Sequence, residues 1–506
     1  MSSELSHPRP LWASTFQWRV LLRPATDRVP ARALTGFVGA WLALFLIHVL
    51  MPVPAGLTVA GKATLAVMAW AAVIWIFEAL PVAVSGLLIP ALLVLTKAVT
   101  PMAKAASGYT NPVVFLCLVA FLFSAIMQCA GLDRRIALGL LDKVKAKTVN
   151  GVIWTMFGIN LVLSFVVPAA NARAATLLPV INGLTRLFGD TEQERNAKKA
   201  IVIQSLVYGS MISGMCILTA HLPNLVITGL FSSELHIRIS YLDWFKLQWP
   251  YLGMFVLTQW WVQYYFRTRH AAIPGGLETI REEQRKLPQA GKQDWAILLV
   301  FGLVALLWAS EQWHKISTEN IALLGLALVF TPGLVQIKWK DIQDRTIWGT
   351  VFLLAGALSI SSAISSTGLA QWLADQIHTI AQGHSWWGIL LIVMVGTHVI
   401  RLGMLSNVAA VTMLAPILLA LAPKLGLHPV AFTMLVADTD SFAYLLPTQI
   451  TAAVIAYSSG TFSTSDYAKV GIVSVLIAIA YGILVMAPWY AFLGIPLWDP
   501  TAPWPL

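Results

Sequence analysis

The sequence has few charged residues and almost no cysteine. Of its 506 residues, 11% are Asp, Glu, Lys or Arg, and three are cysteine. Soluble domains carry roughly 25% charged residues, so a soluble multidomain enzyme is excluded. The cysteine count excludes a disulfide-rich secreted scaffold. Motifs of the types GxxxxGK-S/T, HExxH and GxSxG are absent, which argues against an ATP-driven pump and against an enzyme.

Apolar residues make up 58% of the chain, and 21 residues are tryptophan, which is enriched at membrane interfaces. A helix needs about 20 apolar residues to cross a bilayer. We therefore predict an all-α polytopic membrane protein whose main environment is the lipid bilayer. The apolar segments are 34–53, 61–80, 83–98, 111–131, 150–186, 200–231, 248–267, 294–310, 320–336, 346–366, 387–423, 430–460 and 470–494.

Two of these segments, 150–186 and 387–423, are too long for a single crossing and have small or polar residues at their middle. We interpret both as re-entrant hairpins. The remaining segments give about 11 transmembrane helices. Of these, 200–231 and 430–460 are long enough to be broken helices.

The distribution of basic residues predicts the orientation. Segments 54–60, 367–386 and 495–506 contain no Lys or Arg. By the positive-inside rule, the N-terminus is predicted to be cytoplasmic and the C-terminus outside, in the cell (inner) membrane. Because the basic residues lie in short loops, the net charge of +10 predicts no nucleic-acid partner. The cytoplasmic basic residues are Arg9, Arg19, Arg23, Arg28, Arg32, Arg134, Arg135, Lys143, Lys145, Lys147, Arg186, Arg195, Lys198, Lys199, Lys338 and Arg345.

The chain repeats itself. The pattern Asn171 with Thr176 recurs as Asn407 with Thr412, once in each long segment. Each unit holds five crossings and one hairpin. Because five is odd, the second unit starts on the opposite side of the membrane and is inverted relative to the first, as in many secondary transporters. The predicted organisation is a tail and first helix at 1–54, repeat 1 at 55–267, a cytoplasmic linker at 268–292, repeat 2 at 293–494, and a C-terminal tail at 495–506.

The two hairpin tips carry an asparagine and an arginine each. Asn171 and Arg173 belong to the first tip, and Asn407 and Arg401 to the second. Arginine in the hydrocarbon costs at least ~2.5–3.5 kcal/mol unless it faces a cavity or a partner. Together with helix N-termini, these residues indicate an anion site. The alternatives are helix caps for the asparagines, a surface loop position for Arg173, and neutralisation of a carboxylate by Arg401.

Charged and titratable residues near the second broken helix are candidates for ion coupling. Asp438 and Asp440 are the only formal charges between 430 and 465, and His221 lies in the corresponding first-repeat segment. A carboxylic acid at membrane depth can carry a proton, or one of the pair can partner Arg401. The alternative places both acids at a partly solvated helix end. For His221 the alternative is a neutral, hydrogen-bonded core histidine.

At these residues the chain resembles the divalent anion:sodium symporter family. The resemblance covers about 55–494 and includes the tips, the run Gly131–Leu138, and the stretch Tyr457–Phe462. It implies a homodimer with a scaffold domain and an elevator-type transport domain. In that family, Ser-Asn-Thr tips bind substrate carboxylates and adjoining loops bind sodium. Carried onto this chain, the resemblance points to Asn171 in the first tip and to Ser406 and Asn407 in the second, and the first-repeat loop corresponds to Ala220–Asn224.

The tips of this chain depart from the family pattern. The first reads Ala170-Asn171-Ala172 and the second Ser406-Asn407-Val408, so hydroxyls that could ligate sodium are missing. Asn171 with Arg173 instead resembles the branch that exchanges dicarboxylates or citrate, in which a fixed cation replaces sodium.

We therefore predict a secondary active transporter that is not an enzyme and moves small divalent anions, C4-dicarboxylate-like or citrate/tartrate. It would work by elevator-type alternating access as an exchanger or a cation-coupled symporter. The alternative is a sulfate or arsenite carrier, or a sodium/proton antiporter of the same superfold. The partners are a small anionic substrate and a coupling cation or counter-substrate. No cofactor is predicted, and sodium is the candidate ion at the Asn171 and Asn407 tips. The substrate-binding candidates are Asn171, Arg173, Ser406, Asn407, Pro447 and Thr448. The coupling candidates are Ala170, Asn171, Ser406, Asn407, Asp438, Asp440 and His221.

Overall fold

The computed structural model describes residues 31–505, except 145, 166, 168, 275–289, 382 and 405. Within these ranges the chain forms helices and loops and no strand, apart from an isolated bridge between Thr148 and Ala272. The all-α class is thereby confirmed. Arg9, Arg19, Arg23, Arg28, Lys145 and most of the 268–292 linker lie outside the described residues. The cytoplasmic location of the basic residues, described or not, stays a prediction, as do the sides of the two termini.

The first half of the chain contains α1 to α11. After α8, a short 3-10 turn at Leu218–Ala220 precedes α9. The bounds are α1 Ala31–Leu50, α2 Val59–Phe77, α3 Val82–Leu95, α4 Pro112–Ala130, α5 Leu132–Val144, α6 Val149–Ser164, α7 Ala170–Thr185, α8 Glu192–Cys216, α9 Leu222–Glu234, α10 Tyr241–Gln248 and α11 Leu252–Phe266.

The second half contains α12 to α21. After α19, a 3-10 turn at Pro447–Gln449 precedes α20. The bounds are α12 Lys292–Ala309, α13 Thr318–Val329, α14 Trp339–Arg345, α15 Trp348–Ser366, α16 Leu369–Ala381, α17 Trp386–Arg401, α18 Asn407–Lys424, α19 Pro429–Ser441, α20 Thr451–Tyr457 and α21 Thr464–Phe492.

Eight helices within the described part of the chain are long and apolar enough to cross a membrane: α1, α2, α4, α8, α12, α15, α18 and α21. Shorter apolar helices, α3, α6, α13 and α17, accompany them. The chain is a multi-pass membrane protein. The number of about 11 crossings stays a prediction, because length and composition alone do not place the shorter helices across the bilayer.

Both halves contain the same order of parts around the predicted hairpins. The helix pair α6–α7 covers segment 150–186, and the pair α17–α18 covers 387–423. After each pair comes an interrupted helix: α8, a 3-10 turn and α9 in the first half, and α19, a 3-10 turn and α20 in the second. Re-entry of the pairs from one membrane face, and inversion of the repeats, remain predictions.

Helices α3 and α15, one from each half, cross at very close range. A Cβ atom on Gly86 would lie 2.2 Å from the carbonyl oxygen of Phe352, and one on Gly356 would lie 2.4 Å from the carbonyl oxygen of Gly86. Only glycine fits at this crossing. Helix α2 packs beside the pair, so the three helices form one wall.

Helix α1 packs against α2 through Trp41 and Trp70, whose ring centroids are 5.7 Å apart. Several other side chains of α1, among them Phe37, Phe45 and Leu50, are exposed on the outer surface. An exposed apolar face on a spanning helix is a lipid-facing surface.

Candidate functional site

A cavity of about 540 Å³ lies where the two hairpin tips approach each other. This volume falls in the range of small-molecule sites. One side of the cavity is formed by the tips and by the interruptions after α8 and α19, and the other by α2, the start of α3 and α15. The polar side chains on its lining are Glu78, Asn171, His221, Thr350, Ser406, Asn407 and Thr451.

The cavity gathers part of the predicted site. Of the predicted residues, Ala170, Asn171, His221, Ser406 and Asn407 line it, although they come from sequence positions far apart. Five others lie outside the lining: Arg173, Asp438, Asp440, Pro447 and Thr448. Close to the last two, Ile450, Thr451 and Ala452 contribute to the wall. The tip residues therefore line the cavity as predicted, while at the second interruption the lining begins at Ile450, two residues after Thr448.

Arg173 is fully buried behind the first tip. Its guanidinium donates to the carbonyl oxygens of Val167 at 2.9 Å, Ala220 at 3.1 Å and Ser210 at 2.6 Å. Among the described residues, no carboxylate oxygen lies within the 4.0 Å ion-pair distance of Arg173. The alternative of a surface loop position is therefore wrong. Arg173 thus links the first tip to the backbone of α8 and of the first 3-10 turn, and its positive charge has no acidic partner among the described residues.

Arg401 plays a matching part behind the second tip. It donates to the carbonyl oxygens of Met404 at 2.7 Å and Gln449 at 2.9 Å, and to the side-chain oxygen of Asn407. Its Nε lies 3.7 Å from Oδ2 of Asp440, and both side chains are almost completely buried. The alternative in which Arg401 neutralises a carboxylate is thus what the structure shows, in addition to the tip contacts.

The two arginines make equivalent connections from different sequence positions. Ala220 and Gln449 are each the last residue of the 3-10 turn that interrupts a helix. Arg173 therefore ties the first tip to the first interruption, and Arg401 ties the second tip to the second. Arg173 follows Asn171 of the first tip in sequence, whereas Arg401 precedes Asn407 of the second tip. Aligning the two repeats by sequence therefore does not pair the two arginines.

The two tips differ in which polar groups lack a hydrogen-bond partner within the protein. Helix α7 begins after Ala169, which has φ 73° and offers no capping side chain, so the first-turn N–H groups are uncapped. The side chain of Asn171 has no hydrogen-bond partner among the described residues. Asn171 is therefore not a helix cap, which removes the alternative interpretation of that residue.

At the second tip the polar side chains are largely occupied. The Ser406 hydroxyl accepts from the N–H of Ala409 at 3.3 Å and so caps α18. Asn407 accepts from Arg401 and donates to the carbonyl oxygen of Ser441 at 3.1 Å. The Asn407 amide is thus committed to protein partners at both ends, although the residue lines the cavity.

Asp438 and Asp440 are buried to 1% exposure or less, so the partly solvated alternative is wrong. Asp438 accepts from Nε2 of Gln248 at 2.7 Å and from the hydroxyl of Tyr490 at 3.4 Å. Asp440 faces Arg401. Two positions apart on α19, the acids point to different partners, and neither reaches the cavity.

Glu78 is a cavity residue that the sequence analysis did not select. It ends α2 in the left-handed region with φ 50° and is exposed. Among the described residues it is the only acidic one on the lining. No sequence signal placed it there, because the approach of the α2–α3 turn to the tips is a tertiary contact.

The sequence comparison decides the family. The profile described as the sodium:sulfate symporter transmembrane region matches residues 35–496. This chain belongs to the sodium:sulfate symporter family. It is accordingly a membrane transporter and not an enzyme, and the resemblance stated from the tips is confirmed.

Relatives of this symporter-family chain include a membrane protein of Cupriavidus necator, 31% identical and covering 92% of this chain and 94% of its own length. The sodium-dependent dicarboxylate transporter SdcS of Staphylococcus saprophyticus is 27% identical over 88% and 89%. The SdcS protein of Staphylococcus aureus strain USA300 is 27% identical over 88% of both chains.

Solved structures with the same fold include two distant transporters. The Alcanivorax borkumensis YdaH transporter aligns with TM-score 0.55 and 15% identity, covering 85% of this chain and 98% of its own. The Neisseria gonorrhoeae efflux pump MtrF aligns with TM-score 0.60 and 12% identity, covering 94% and 98%. At this identity the likeness concerns the fold alone.

Around the tips of this symporter-family member, four backbone carbonyl oxygens accept hydrogen bonds from guanidinium groups. They belong to Val167, Ala220, Met404 and Gln449.

Proposed function

We propose that this protein is a secondary transporter for a small divalent organic anion, a dicarboxylate of the succinate type or a citrate or tartrate. One observation carries the proposal: a cavity of about 540 Å³ faces the uncapped N-terminus of α7 and the free amide of Asn171. Helix N-termini and amide N–H groups bind carboxylates. The dicarboxylate transport named for the SdcS relatives supports the same substrate class.

The positive charge of Arg173 also favours an anion in this cavity. The charge is buried and has no acidic partner among the described residues, so it acts at low dielectric and is weakly screened. A dianion entering the cavity would compensate it. In this proposal Arg173 acts through its charge and through the tip that it organises, without touching the substrate.

The proposed transport step is elevator-type alternating access. The arginine contacts join each tip to the helix interruption beside it, which supports movement of these parts as a unit. Helices α2, α3 and α15 form the opposite wall, and their close crossing at Gly86 and Gly356 supports a static scaffold. Inverted repeats, re-entrant hairpins and a homodimer belong to this proposal.

For coupling, we propose exchange of one dicarboxylate for another without sodium. The guanidinium of Arg173, which has no acidic partner among the described residues, supplies fixed positive charge behind the first tip. The guanidinium groups of Arg173 and Arg401 also donate to backbone oxygens of both tips and both helix interruptions. Sodium symport is the second candidate, favoured by the sodium dependence named for the SdcS relatives. A sulfate or arsenite carrier, or a sodium/proton antiporter, is the alternative outside dicarboxylates.

The test uses purified protein in liposomes with labelled succinate outside. Exchange without sodium is expected to give uptake only when the vesicles contain unlabelled dicarboxylate, with equal rates in sodium and choline buffers. Uptake into empty vesicles driven by a sodium gradient would establish symport. If no dicarboxylate, citrate or tartrate moves under either condition, the substrate proposal is wrong, and sulfate and arsenite are tested in the same vesicles.

A further inference from the structure

Two polar contacts join α10 and the loop before it to the turn between α12 and α13. Nη2 of Arg238 lies 2.7 Å from Oε1 of Glu311. Beside this ion pair, Nε2 of Gln312 donates to Oδ1 of Asp243 at 3.1 Å. All four residues line the same surface cavity, and we call them the clasp. Its two sides come from different halves of the chain.

The α10 side of the clasp is attached to the first helix interruption. Nε1 of Trp244 donates to the carbonyl oxygen of Met215 at 3.0 Å, near the end of α8. The hydroxyl oxygens of Tyr241 and Thr219 are 3.5 Å apart, and Thr219 belongs to the first 3-10 turn. Arg173 ties the same turn to the first tip. Helix α10 therefore belongs with the tip, in the part that moves in the elevator proposal.

The other side of the clasp is attached to the proposed static wall. A Cβ atom on Gly325 of α13 would lie 2.3 Å from Cγ2 of Val304 in α12 and 3.2 Å from Cζ of Phe123 in α4. The turn before α4 meets α15 as closely, because a Cβ atom on Gly108 would lie 2.1 Å from the carbonyl oxygen of Ala355. Helices α12 and α13 are therefore packed through α4 onto the wall that contains α15.

We propose that the clasp joins the moving part of the transporter to its static part, is closed in this state, and opens in each transport cycle. This inference rests on the elevator step of the proposed function. It places the boundary between the two parts between α10 and α12, where the rings of Tyr241 and Trp308 also stack with centroids 4.6 Å apart. A half-exposed ion pair stabilises weakly, so the clasp favours one state without locking the protein in it.

The partners of the clasp residues suit repeated opening. Each carboxylate has a second partner within its own segment: Glu311 accepts from the hydroxyl of Thr318 at 2.6 Å, and Oδ1 of Asp243 lies 3.3 Å from Nζ of Lys246. A buried carboxylate without a partner is costly, and opening the clasp leaves neither carboxylate in that condition. The side chain of Arg238 is 53% exposed, so water solvates its charge when the ion pair breaks.

The experiment replaces both members of the ion pair by cysteine and joins them with a membrane-permeant bismaleimide whose spacer contains a disulfide. Anion uptake in proteoliposomes is measured before and after cross-linking of Arg238→Cys/Glu311→Cys. We expect cross-linking to reduce uptake by at least about 10-fold, because a boundary that cannot open stops alternating access. Reductive cleavage of the spacer is expected to restore uptake.

The matched control is Gln293→Cys/Gln336→Cys. The N–H of Gln336 donates to Oε1 of Gln293 at 2.9 Å, so this pair also bridges two segments that are separate in sequence. Both segments are on the static side, since Gln293 belongs to α12 and Gln336 lies between α13 and α14, which packs on α4. Cross-linking the control pair is expected to leave uptake unchanged. The unmodified protein, treated with the same reagent, accounts for reaction at its three native cysteines.

Full uptake by the cross-linked clasp variant would overturn the inference, because the two segments would then stay together throughout the cycle. An equal loss in the control pair would also overturn it. If the unmodified protein moves no dicarboxylate, citrate or tartrate, the proposed substrate is wrong, and the cross-link is scored on the anion that the protein does move. Should the first cysteine pair not fold, Asp243→Cys/Gln312→Cys tests the same boundary with the same expected loss.

Discussion

The guanidinium of Arg401 faces the carboxylate of Asp440 across 3.7 Å, with both side chains almost completely buried. The corresponding arginine of the first half, Arg173, makes similar backbone contacts but has no acidic partner in the described part of the chain. The two halves are therefore alike in their hydrogen bonds and unlike in their charge. Net positive charge remains at the first tip, where the uncapped helix start and His221 also lie.

Replacing Arg173 tests the role of that charge. We expect Arg173→Gln to reduce anion transport by at least about 10-fold, because it removes the positive charge and some of the donors that hold the tip to Ser210 and Ala220. Arg173→Lys keeps the charge and is expected to retain part of the activity. Uptake in proteoliposomes measures both, and full activity of the Gln variant would contradict the role.

A substitution at Gly214 would displace the guanidinium of Arg173 without removing its charge. A Cβ atom there would lie 2.6 Å from Nη2 of Arg173, so Gly214→Ala forces the guanidinium to move. We expect transport to fall as in Arg173→Gln. The control is Gly158→Ala in α6, where an added Cβ meets nothing within 4 Å. Equal transport by the two alanine variants would mean that the guanidinium position is unimportant.

The ion pair between Arg401 and Asp440 is open to a double-mutant cycle. Removing one partner of a buried pair costs ~3–5 kcal/mol because the other charge is left uncompensated. We expect Arg401→Gln and Asp440→Asn each to lower Tm. The double variant should lose less Tm than the sum of the two single decreases. Strict additivity of the Tm changes would show that the residues do not interact.

The two tip asparagines are expected to respond in different ways. Asn171 has a free side chain on the cavity, so Asn171→Ala should raise the substrate KM with little change in Tm. Asn407 is bound to Arg401 and Ser441, so Asn407→Ala should lower Tm by leaving buried partners unpaired. Thermal melts give the Tm of both variants, and uptake kinetics give their substrate KM. A KM increase confined to Asn407→Ala would reverse the assignment.

Replacing Asp438 tests whether transport is exchange or is coupled to a proton or sodium ion through this carboxylate. It accepts hydrogen bonds from Gln248 and Tyr490 and does not line the cavity. Under the exchange proposal, Asp438→Asn should keep dicarboxylate exchange within about a few-fold, since an amide oxygen can still accept. Loss of all transport in this variant, with normal folding by size-exclusion chromatography, would favour a proton or sodium carrier.

Much of the fold follows from hydrophobic segment length. Segments of 150–186 and 387–423 exceed one bilayer thickness, and each is divided in the structure into two helices at its polar middle. The interruptions near Ala220 and Gln449 were likewise predictable from excess length. The shorter helices, such as α13, were recognised as apolar, but apolar length alone does not fix their relation to the membrane.

The predicted residues that line the cavity lie at the two tips or, in the case of His221, at a helix interruption. Asn171 and Ser406 reach the cavity as the sequence indicated, because a helix start presents its first residues. Glu78, by contrast, arrives through packing between distant segments. Arg173 looked like a ligand because a buried charge suggests one, yet backbone carbonyls satisfy its hydrogen bonds. Sequence alone does not report such backbone partners.

The glycine crossing between α3 and α15 also concerns how the protein is made. Gly86 and Gly356 are separated by 356 − 86 = 270 residues of chain. At a synthesis rate of about 5–20 residues per second, the ribosome needs roughly 14–54 s to supply the second glycine after the first. During that interval the Gly86 face of α3 has no α15 to pack against. The wall of α2, α3 and α15 can therefore form only after residue 356 has been synthesised.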